Sequence, residues 1–356
     1  MKHFKFKKKT ILFLVVGTIF LTTSFKSKFF EIAKQIEIYN TLFKELNMYY
    51  VDEINPAEFT NKAIKNTLKD LDPYTSFYNE QDVEDAKIRR EGEYSGIGTA
   101  VYYTKKGIQI KEVYKGFSAD KAGLKAGDII ISIDGQLLKN MERDQLSMFL
   151  KGTSNSKVSV EIERQGKLIN KELVREKVVI NPVPFYEMID DETGYITLTR
   201  FNNKASSEVK KAYRSLKKKG MRKLVFDLRY NPGGSLSEAI NITNFFIPKG
   251  KVIVTTKAKI KKWSNTYKGT NEPLDLEIPI VVLINGRSAS ASEIVSGSLQ
   301  DYDRAVIMGQ RSFGKGLVQR YRTLTYGTQL KLTISKYYTP SGRCIQELDY
   351  ENRDAK

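Results

Sequence analysis

The sequence has 356 residues, of which 40% are hydrophobic and 28% are charged. This balance is typical of a folded soluble protein and excludes a disordered chain or a multi-spanning membrane protein. The length favours two or three domains over a single core. The formal net charge is +18 at pH 7. Because Lys and Arg alternate with Asp and Glu in most stretches, we interpret this charge as a solvated basic surface and expect no nucleic-acid partner.

Histidine and cysteine are scarce, and this scarcity excludes several kinds of site. His3, in a basic N-terminal segment, is the one histidine of the sequence, and Cys344 is its one cysteine. A Ser-His-Asp triad, a Cys-His pair and a zinc site built from His and Cys are therefore excluded from the folded body. A hydrolase with this composition must use another base. One cysteine also excludes an intrachain disulfide, so disulfides give no information on the compartment.

The N-terminus has the pattern of an export signal. Five lysines come first: Lys2, Lys5, Lys7, Lys8 and Lys9. An apolar run from Ile11 to Leu21 follows, and it is shorter than the ~20 residues of a comfortable membrane span. Residues 1–25 are therefore predicted to be a signal peptide or, because no small-x-small cleavage site is clear around Phe25, an uncleaved membrane anchor. Either one predicts an extracytoplasmic location.

Residues 26–92 are predicted to form an N-terminal helical region. Apolar residues recur there at intervals of three and four positions, the period of an amphipathic helix: Ile32, Ile36, Tyr39, Leu42, Phe43 and Leu46. Asn55-Pro56 is typical of the start of a second helix, and Asp72-Pro73 follows its end.

Residues 93–180 have the pattern of a β-rich module. Five short runs with strand character alternate with turns: Gly98–Tyr103, Ile108–Val113, Ile129–Ile133, Val158–Arg164 and Leu168–Arg175. One helix is predicted at Arg143–Leu150. This density of strands predicts one compact module.

Residues 181–356 are predicted to form an α/β core, so that the fold class of the chain is α/β and multidomain. Four runs resemble buried strands: Tyr195–Thr199, Lys223–Leu228, Ile280–Ile284 and Ala305–Met308. Three segments have a helical pattern: Glu208–Leu216, Leu236–Phe246 and Ala291–Leu299. This alternation predicts a mostly parallel sheet covered on both faces, with a β-rich extension at Gln329–Tyr338. Reactive groups in such sheets lie at strand ends and in the loops that follow.

The segment Ser288-Ala289-Ser290-Ala291-Ser292-Glu293 lies between a predicted strand and a predicted helix. A serine at such a junction is well placed as a nucleophile, because the free N–H groups and positive dipole of a helix N-terminus stabilise a developing oxyanion. Ser and Ala also favour helix starts, so the segment taken alone is better explained as a helix cap.

A second segment, Gly309 to Gln319, places Lys315 between two glycines. Part of it fits the phosphate-binding pattern G-x-x-x-x-G-K, but that loop requires Ser or Thr next, to hold magnesium, and the chain has Gly316. Small neighbours allow a lysine to be packed tightly, and desolvation lowers a lysine pKa from ~10.4 toward the ~7–8 that suits a base. Gln319 could orient the amine by accepting a hydrogen bond. An ordinary surface lysine is the alternative explanation.

A third segment, Asp227-Leu228-Arg229-Tyr230-Asn231-Pro232-Gly233-Gly234, directly follows a predicted strand. Two consecutive glycines allow the backbone to approach a ligand closely and to point N–H groups outward. A plain turn between a strand and a helix is the alternative explanation.

Together, these segments resemble the C-terminal processing peptidases, also called tail-specific proteases. Five pieces carry the resemblance in the family's order: LDPYTSFYNEQDV (Leu71 to Val83), DLRYNPGG (Asp227 to Gly234), SASASEIVSGSLQD (Ser288 to Asp301), DRAVIMGQRSFGKGLVQ (Asp303 to Gln319) and YYTPSGRCIQ (Tyr337 to Gln346). The resemblance implies a serine endopeptidase that cleaves proteins near their C-termini. It implies no metal and no organic cofactor.

The resemblance also implies catalytic roles for three residues: the nucleophile Ser290, the general base Lys315 and the supporting residue Gln319. The spacing of 25 residues between serine and lysine agrees with that of the family. The implied oxyanion hole uses the N–H of Ala291 and one N–H of the glycine turn, from Gly233 or Gly234.

The β-rich module resembles a PDZ domain. Tyr94-Ser95-Gly96-Ile97-Gly98 is similar to a carboxylate-binding loop, and Ala122–Ile130 with Ile133-Asp134-Gly135 is similar to bacterial PDZ domains. Such a module adds a peptide strand to its sheet edge and binds the terminal carboxylate with loop N–H groups. The expected partners are therefore protein substrates with apolar C-terminal tails. A regulatory or adaptor protein, the inner membrane and a second copy of the chain stay open as further partners.

Two features depart from the family pattern. Family members usually continue past YYTPSGR into a Gly-rich segment, whereas this chain stops at Lys356. A lipid-modified form would need a cysteine near residue 25, and the sequence has none there. The expected location is the bacterial periplasm or the outer face of the cytoplasmic membrane. The alternative function is a non-catalytic PDZ-type scaffold that binds peptides, and the presence of Ser290, Lys315 and Gln319 argues against it.

Overall fold

The computed structural model describes residues 8–141 and 143–347. The chain divides into two compact units, Met1–Asp70 and Leu71–Lys356. The first unit contains helices α1 (Lys8–Tyr49) and α2 (Pro56–Lys69). Asn55 caps α2 as its sequence predicts, because its side chain accepts hydrogen bonds from the backbone N–H groups of Ala57 and Glu58 at 3.0 and 3.2 Å.

The predicted signal or anchor, residues 1–25, begins outside the described residues, and only the helical backbone is described for residues 8–28. Over the helices that the structure describes, none combines the length and the apolar character needed to cross a membrane.

The second unit contains the remaining elements of the described chain. Its helices are α3 (Glu80–Glu91), α4 (Ser118–Lys121), α5 (Arg143–Leu150), α6 (Ala205–Lys218), α7 (Leu236–Asn244) and α8 (Ala291–Asp301). Its first nine strands are β1 (Ser76–Tyr78), β2 (Glu93–Gly96), β3 (Thr99–Thr104), β4 (Gly107–Val113), β5 (Ile129–Ile133), β6 (Gln136–Leu137), β7 (Lys157–Arg164), β8 (Lys167–Val174) and β9 (Glu176–Val179). The other nine are β10 (Phe185–Met188), β11 (Thr193–Thr197), β12 (Lys223–Asp227), β13 (Val252–Ala258), β14 (Asn265–Lys268), β15 (Ile280–Ile284), β16 (Val306–Gly309), β17 (Leu317–Thr323) and β18 (Gln329–Tyr338).

The β-rich module forms a six-stranded antiparallel sheet in the order β3-β4-β5-β7-β8, with β6 paired to β5. Fully buried Ile108, Ile130 and Ile162 lie in its core, and each stabilises the fold by roughly 1.5–3 kcal/mol. The five predicted strands of this sheet begin and end within one residue of their predicted positions, and the short strand β6 was not predicted. Strand β3 has one neighbour in this sheet, so its other edge is free to pair with a further strand.

The α/β core contains a five-stranded sheet in the order β10-β11-β12-β15-β16. The three pairings from β11 to β16 are parallel, and the pairing of β10 with β11 is antiparallel. Buried Phe226 and Val282, from neighbouring parallel strands, pack in one apolar core with Ile294 of α8. The carboxyl ends of β12 and β15 therefore point the two predicted loops toward the same edge of the sheet.

A second sheet, which the sequence analysis did not resolve, contains β1, β18, β13 and β14 in that order, with β17 also paired to β18. All its pairings are antiparallel. Strand β1 lies within the region 26–92 that was predicted to be helical. Asp72 stops the helical pattern there, because its carboxylate accepts the backbone N–H groups of Tyr74 and Thr75, both at 2.8 Å, which holds a turn rather than a helix.

Candidate active site

Ser290 lies directly before α8, in the turn that follows β15. Its backbone has a positive φ of 57°, a conformation that costs a non-glycine residue roughly 1–3 kcal/mol and requires support from its surroundings. Two hydrogen bonds support the turn: Ala289 N donates to Asn231 O at 3.0 Å and Ser290 N donates to Glu293 Oε2 at 2.6 Å. The serine thus stands at a fixed, strained junction between strand and helix.

The Glu293 carboxylate joins the serine turn to the lysine loop. It is only 3% exposed and accepts four hydrogen bonds. The donors are Ser290 N at 2.6 Å, Lys315 N at 2.9 Å, Gly314 N at 2.6 Å and Ser312 Oγ at 2.8 Å. Since one rigid group holds the backbones of Ser290 and Lys315, it fixes their separation. The sequence analysis assigned no role to Glu293, although its position three residues after Ser290 is typical of a capping box.

The side chain of Lys315 is half-buried. Its Nζ lies 4.8 Å from the centre of the Tyr74 ring. Burial and, to a smaller extent, the like charge of Lys331 lower the pKa of Lys315 to about 8, while the carboxylates of Glu293 and Asp72 act in the opposite direction. A substantial share of this amine is therefore neutral near pH 8, as a base requires.

Gln319 does not bond to the amine in this structure. Its side-chain nitrogen donates to Leu317 O at 3.2 Å and to Thr333 Oγ1 at 3.3 Å. Thr333 Oγ1 in turn donates to Asp72 Oδ1 at 3.1 Å. Gln319 is therefore linked to Asp72, one of the two carboxylates that act on Lys315, and no donor within the described residues bonds to its Oε1.

Tyr337 is a further residue at the site that the sequence analysis did not single out. It is 2% exposed, and its hydroxyl donates to the carbonyl oxygen of Lys315 and also forms a hydrogen bond with the side chain of Ser290. Burial raises the pKa of this phenol well above its ordinary value, so it is neutral at physiological pH. The one sequence signal for Tyr337 was that it begins the segment YYTPSGRCIQ. Because this segment is distant from Ser290 in the sequence, the signal did not indicate a contact with the serine.

The glycine turn after β12 packs directly against the serine turn. A Cβ atom on Gly233 would lie 2.6 Å from Ala289 O and 2.8 Å from Ser290 Cβ, so only glycine fits there. Gly233 N–H is already used, since it donates to Asn231 Oδ1 at 2.9 Å. Within the described chain, the N–H groups of Gly234 and Ala291 have no acceptor.

One cavity of about 420 Å³ brings the predicted catalytic residues together. Its lining includes Ser290, Lys315 and Gln319, together with all three predicted oxyanion residues, Ala291, Gly233 and Gly234. The loops after β12, after β15 and before β17 thus line one cavity, which is large enough to admit a segment of extended peptide.

The predicted carboxylate-binding loop lies apart from this cavity, in the β-rich module. Tyr94, Ser95 and Gly96 belong to β2, and Ile97 and Gly98 connect β2 to β3. The carbonyl groups of Ile97 and Gly98 accept hydrogen bonds from Ala119 N and Tyr114 N, but the N–H groups of Ile97 and Gly98 have no acceptor in the part of the chain that the structure describes. These N–H groups stand at the start of the free edge of β3. A separate cavity of about 330 Å³ lies in this module, lined by Gln136, Met141, Gln145, Phe149 and Arg175.

Two protein-family models match the chain. The model described as Peptidase family S41 matches residues 192–351, and the model described as PDZ domain matches residues 85–163.

Among curated proteins, the carboxy-terminal-processing protease of Bartonella bacilliformis is 34% identical over 319 residues, covering 88% of this chain and 73% of that protein. The probable CtpA-like serine protease of Staphylococcus aureus is 33% identical over 309 residues, covering 85% of this chain and 61% of that protein. Among solved structures, the photosystem II D1 C-terminal processing protease superposes with a TM-score of 0.50 at 27% identity, covering 88% of this chain and 92% of that one.

Proposed function

This chain belongs to peptidase family S41 and is a serine peptidase of the carboxy-terminal-processing type, and from this premise we propose that Ser290 is its nucleophile and Lys315 its general base. The observation that carries the proposal is the Glu293 carboxylate, which accepts the backbone N–H groups of both residues. Both side chains line one cavity, and burial together with the charge of Lys331 lowers the pKa of the lysine to about 8.

The reaction proceeds through an acyl-enzyme. The neutral amine of Lys315 takes the proton of the Ser290 hydroxyl while the serine oxygen attacks the carbonyl carbon of the scissile peptide bond. The lysine then gives that proton to the leaving nitrogen, the carbon–nitrogen bond breaks, and the C-terminal fragment departs. Water, deprotonated by the same amine, adds to the ester, and the serine oxygen leaves with the proton. No cofactor enters any step.

The oxyanion is stabilised by the N–H groups of Ala291 and Gly234. Gly234 rather than Gly233 contributes, because the Gly233 N–H already donates to Asn231 Oδ1 and is not available. Ala291 is the first residue of α8, so the positive end of the helix dipole adds to this stabilisation.

Gln319 supports the lysine. Its nitrogen is held by Leu317 and Thr333, which leaves its Oε1 as the acceptor for the amine. A neutral acceptor orients Lys315 without adding the charge that would raise its pKa.

The PDZ module selects the substrate tail. An extended C-terminal peptide adds to the free edge of β3, and its carboxylate binds to the loop Tyr94-Ser95-Gly96-Ile97-Gly98, where the N–H groups of Ile97 and Gly98 are available. Apolar tails are preferred, because Met141 and Phe149 line a cavity of the same module. The proposed domains are residues 26–92, 93–180 and 181–356, after an export signal or anchor at 1–25. The proposed location is the bacterial periplasm or the outer face of the cytoplasmic membrane. An adaptor protein and a second copy of the chain are further proposed partners.

The proposal is tested with purified chain and an unstructured polypeptide that ends in an apolar tail. Ser290→Ala and Lys315→Met are expected to abolish cleavage, and Ser290→Ala is also expected to abolish labelling by a serine-reactive fluorophosphonate. Matched controls are Ser154→Ala and Lys218→Met, at exposed positions outside the cavity, which should cleave at the wild-type rate. Cleavage that survives Ser290→Ala, or tail binding by the wild type without any labelling, would contradict the dyad and favour a peptide-binding scaffold.

A further inference from the structure

The active-site cavity has a strongly cationic lining. Four basic side chains line it in addition to Lys315: Arg89, Arg90, Arg200 and Lys331. No Asp or Glu is among the described residues that line it. Elsewhere in the described chain, some arginines are paired closely with carboxylates, as in Arg164 with Asp128 at 2.7 Å. The cavity therefore concentrates positive charge that the chain itself does not neutralise.

Two of these arginines have no counter-ion. Within the described chain, the guanidinium groups of Arg89 and Arg200 form no ion pair, and the one pair of Arg90, with Glu91, is long at 3.9 Å. Arg200 is partly buried, and burial together with the like charge of Arg89 lowers its pKa. Arg89 itself is exposed, so the cost falls on Arg200, which loses part of its hydration and is repelled by the like charge of Arg89. A bound anion would relieve both effects.

The position of Arg200 relates this charge to the reacting bond. Arg200 directly precedes Phe201, whose N–H donates to Gly233 O at 3.1 Å and whose carbonyl accepts Ser235 N at 2.7 Å. Its backbone is thus attached to the glycine turn that we place at the oxyanion. The last turn of α3, which carries Arg89, is attached to the segment that carries Arg200, because Asn203 N donates to Arg90 O at 3.0 Å.

We propose that Arg89 and Arg200 form a subsite that binds a carboxylate of the substrate. The chain then prefers substrates that carry an acidic group a few residues from the cleaved bond. A guanidinium group donates two parallel hydrogen bonds to a carboxylate, and such charge-assisted bonds are among the strongest in proteins. The acidic group is a Glu or Asp side chain or the α-carboxylate of a short tail. The inference rests on the proposed function, since it assigns a substrate class to the cavity of Ser290.

The test uses peptides that share one apolar tail and differ by Glu or Gln at single positions around the cleaved bond. The wild type is expected to cleave the best Glu peptide with a kcat/KM about 10-fold above its Gln partner, the effect of one charge-assisted pair. In the double variant Arg89→Gln, Arg200→Gln this ratio should fall to about one, whereas Arg200→Lys, which keeps the charge, should retain part of it. Arg214→Gln, exposed on α6 and outside the cavity, is the control and should leave the ratio unchanged.

Binding separates this inference from the proposed function. The Ser290→Ala variant should bind the Glu peptide more tightly than the Gln peptide, and the common tail makes the PDZ contribution equal. If amidation of the C-terminus weakens binding to Ser290→Ala and this effect is smaller when Arg89→Gln and Arg200→Gln are added, the α-carboxylate is the anion of the subsite, because the PDZ contribution is the same in both variants. Equal binding of the Glu and Gln peptides, with an amidation effect that the added arginine substitutions leave unchanged, would overturn the subsite whether or not the chain cleaves the peptides.

Discussion

The protonation of Lys315, the proposed base, should control the rate. Because its pKa lies at about 8, the amine is mostly charged below that pH, and kcat/KM should rise as the pH rises through about 8 and then level off. Lys331→Met removes a like charge that lowers this pKa, so the midpoint of the rise should move to higher pH. The measurement is the pH dependence of kcat/KM, with Lys336→Met, exposed on the same strand β18, as the control. A midpoint that does not move, or moves down, would exclude this electrostatic account.

Tyr337 is a positioning residue between the serine and the lysine loop. Its hydroxyl contacts the Ser290 side chain and the Lys315 carbonyl, so Tyr337→Phe loses these bonds and keeps the packing. We expect kcat to fall by about 5- to 10-fold, the effect of one hydrogen bond worth about 1 kcal/mol, with little change in KM. A purely structural role would instead lower the denaturation midpoint and leave kcat of the folded fraction intact.

The start of α8 and the loop before β17 behave as one unit, because Glu293 belongs to the helix and accepts hydrogen bonds from the loop. Glu293→Gln replaces one acceptor oxygen by an NH₂ group that faces N–H donors. We expect the free energy of unfolding to fall by about 1–3 kcal/mol and kcat to fall at least 10-fold, since the separation of Ser290 and Lys315 is no longer fixed. Urea denaturation and steady-state kinetics measure the two effects.

The control for this change is Glu112→Gln, at an exposed position of β4 in the PDZ module. It should alter neither quantity. If Glu293→Gln matched the control in both stability and kcat, the carboxylate would not be the group that joins the two loops.

The sequence could predict those strands, helices and loops whose residue types follow a local pattern. Short apolar runs placed the strands of the PDZ module and the parallel strands β12 and β15, and the motifs after those strands predicted a shared edge. Contacts between distant segments carried no such signal. Thr333 bonds Asp72 across 261 positions, and three-residue β1 is too short for a period to show, so the second sheet was missed. Tyr337 and the unpaired arginines likewise acquire their surroundings only when distant segments meet.

The way in which the PDZ module joins the rest of its unit has a consequence for how such chains can be altered. Strands β2 and β9, which begin and end the module, are antiparallel neighbours: Glu93 is paired with Val179, and Ile180 N donates to Gly92 O at 2.7 Å. Strand β1 precedes the module and pairs with β18 of the peptidase sheet, so the module is an insertion within that fold. The two ends of the PDZ module lie about 5 Å apart. A short turn can therefore replace the module, and another module can be inserted in its place without changing the topology of the peptidase core.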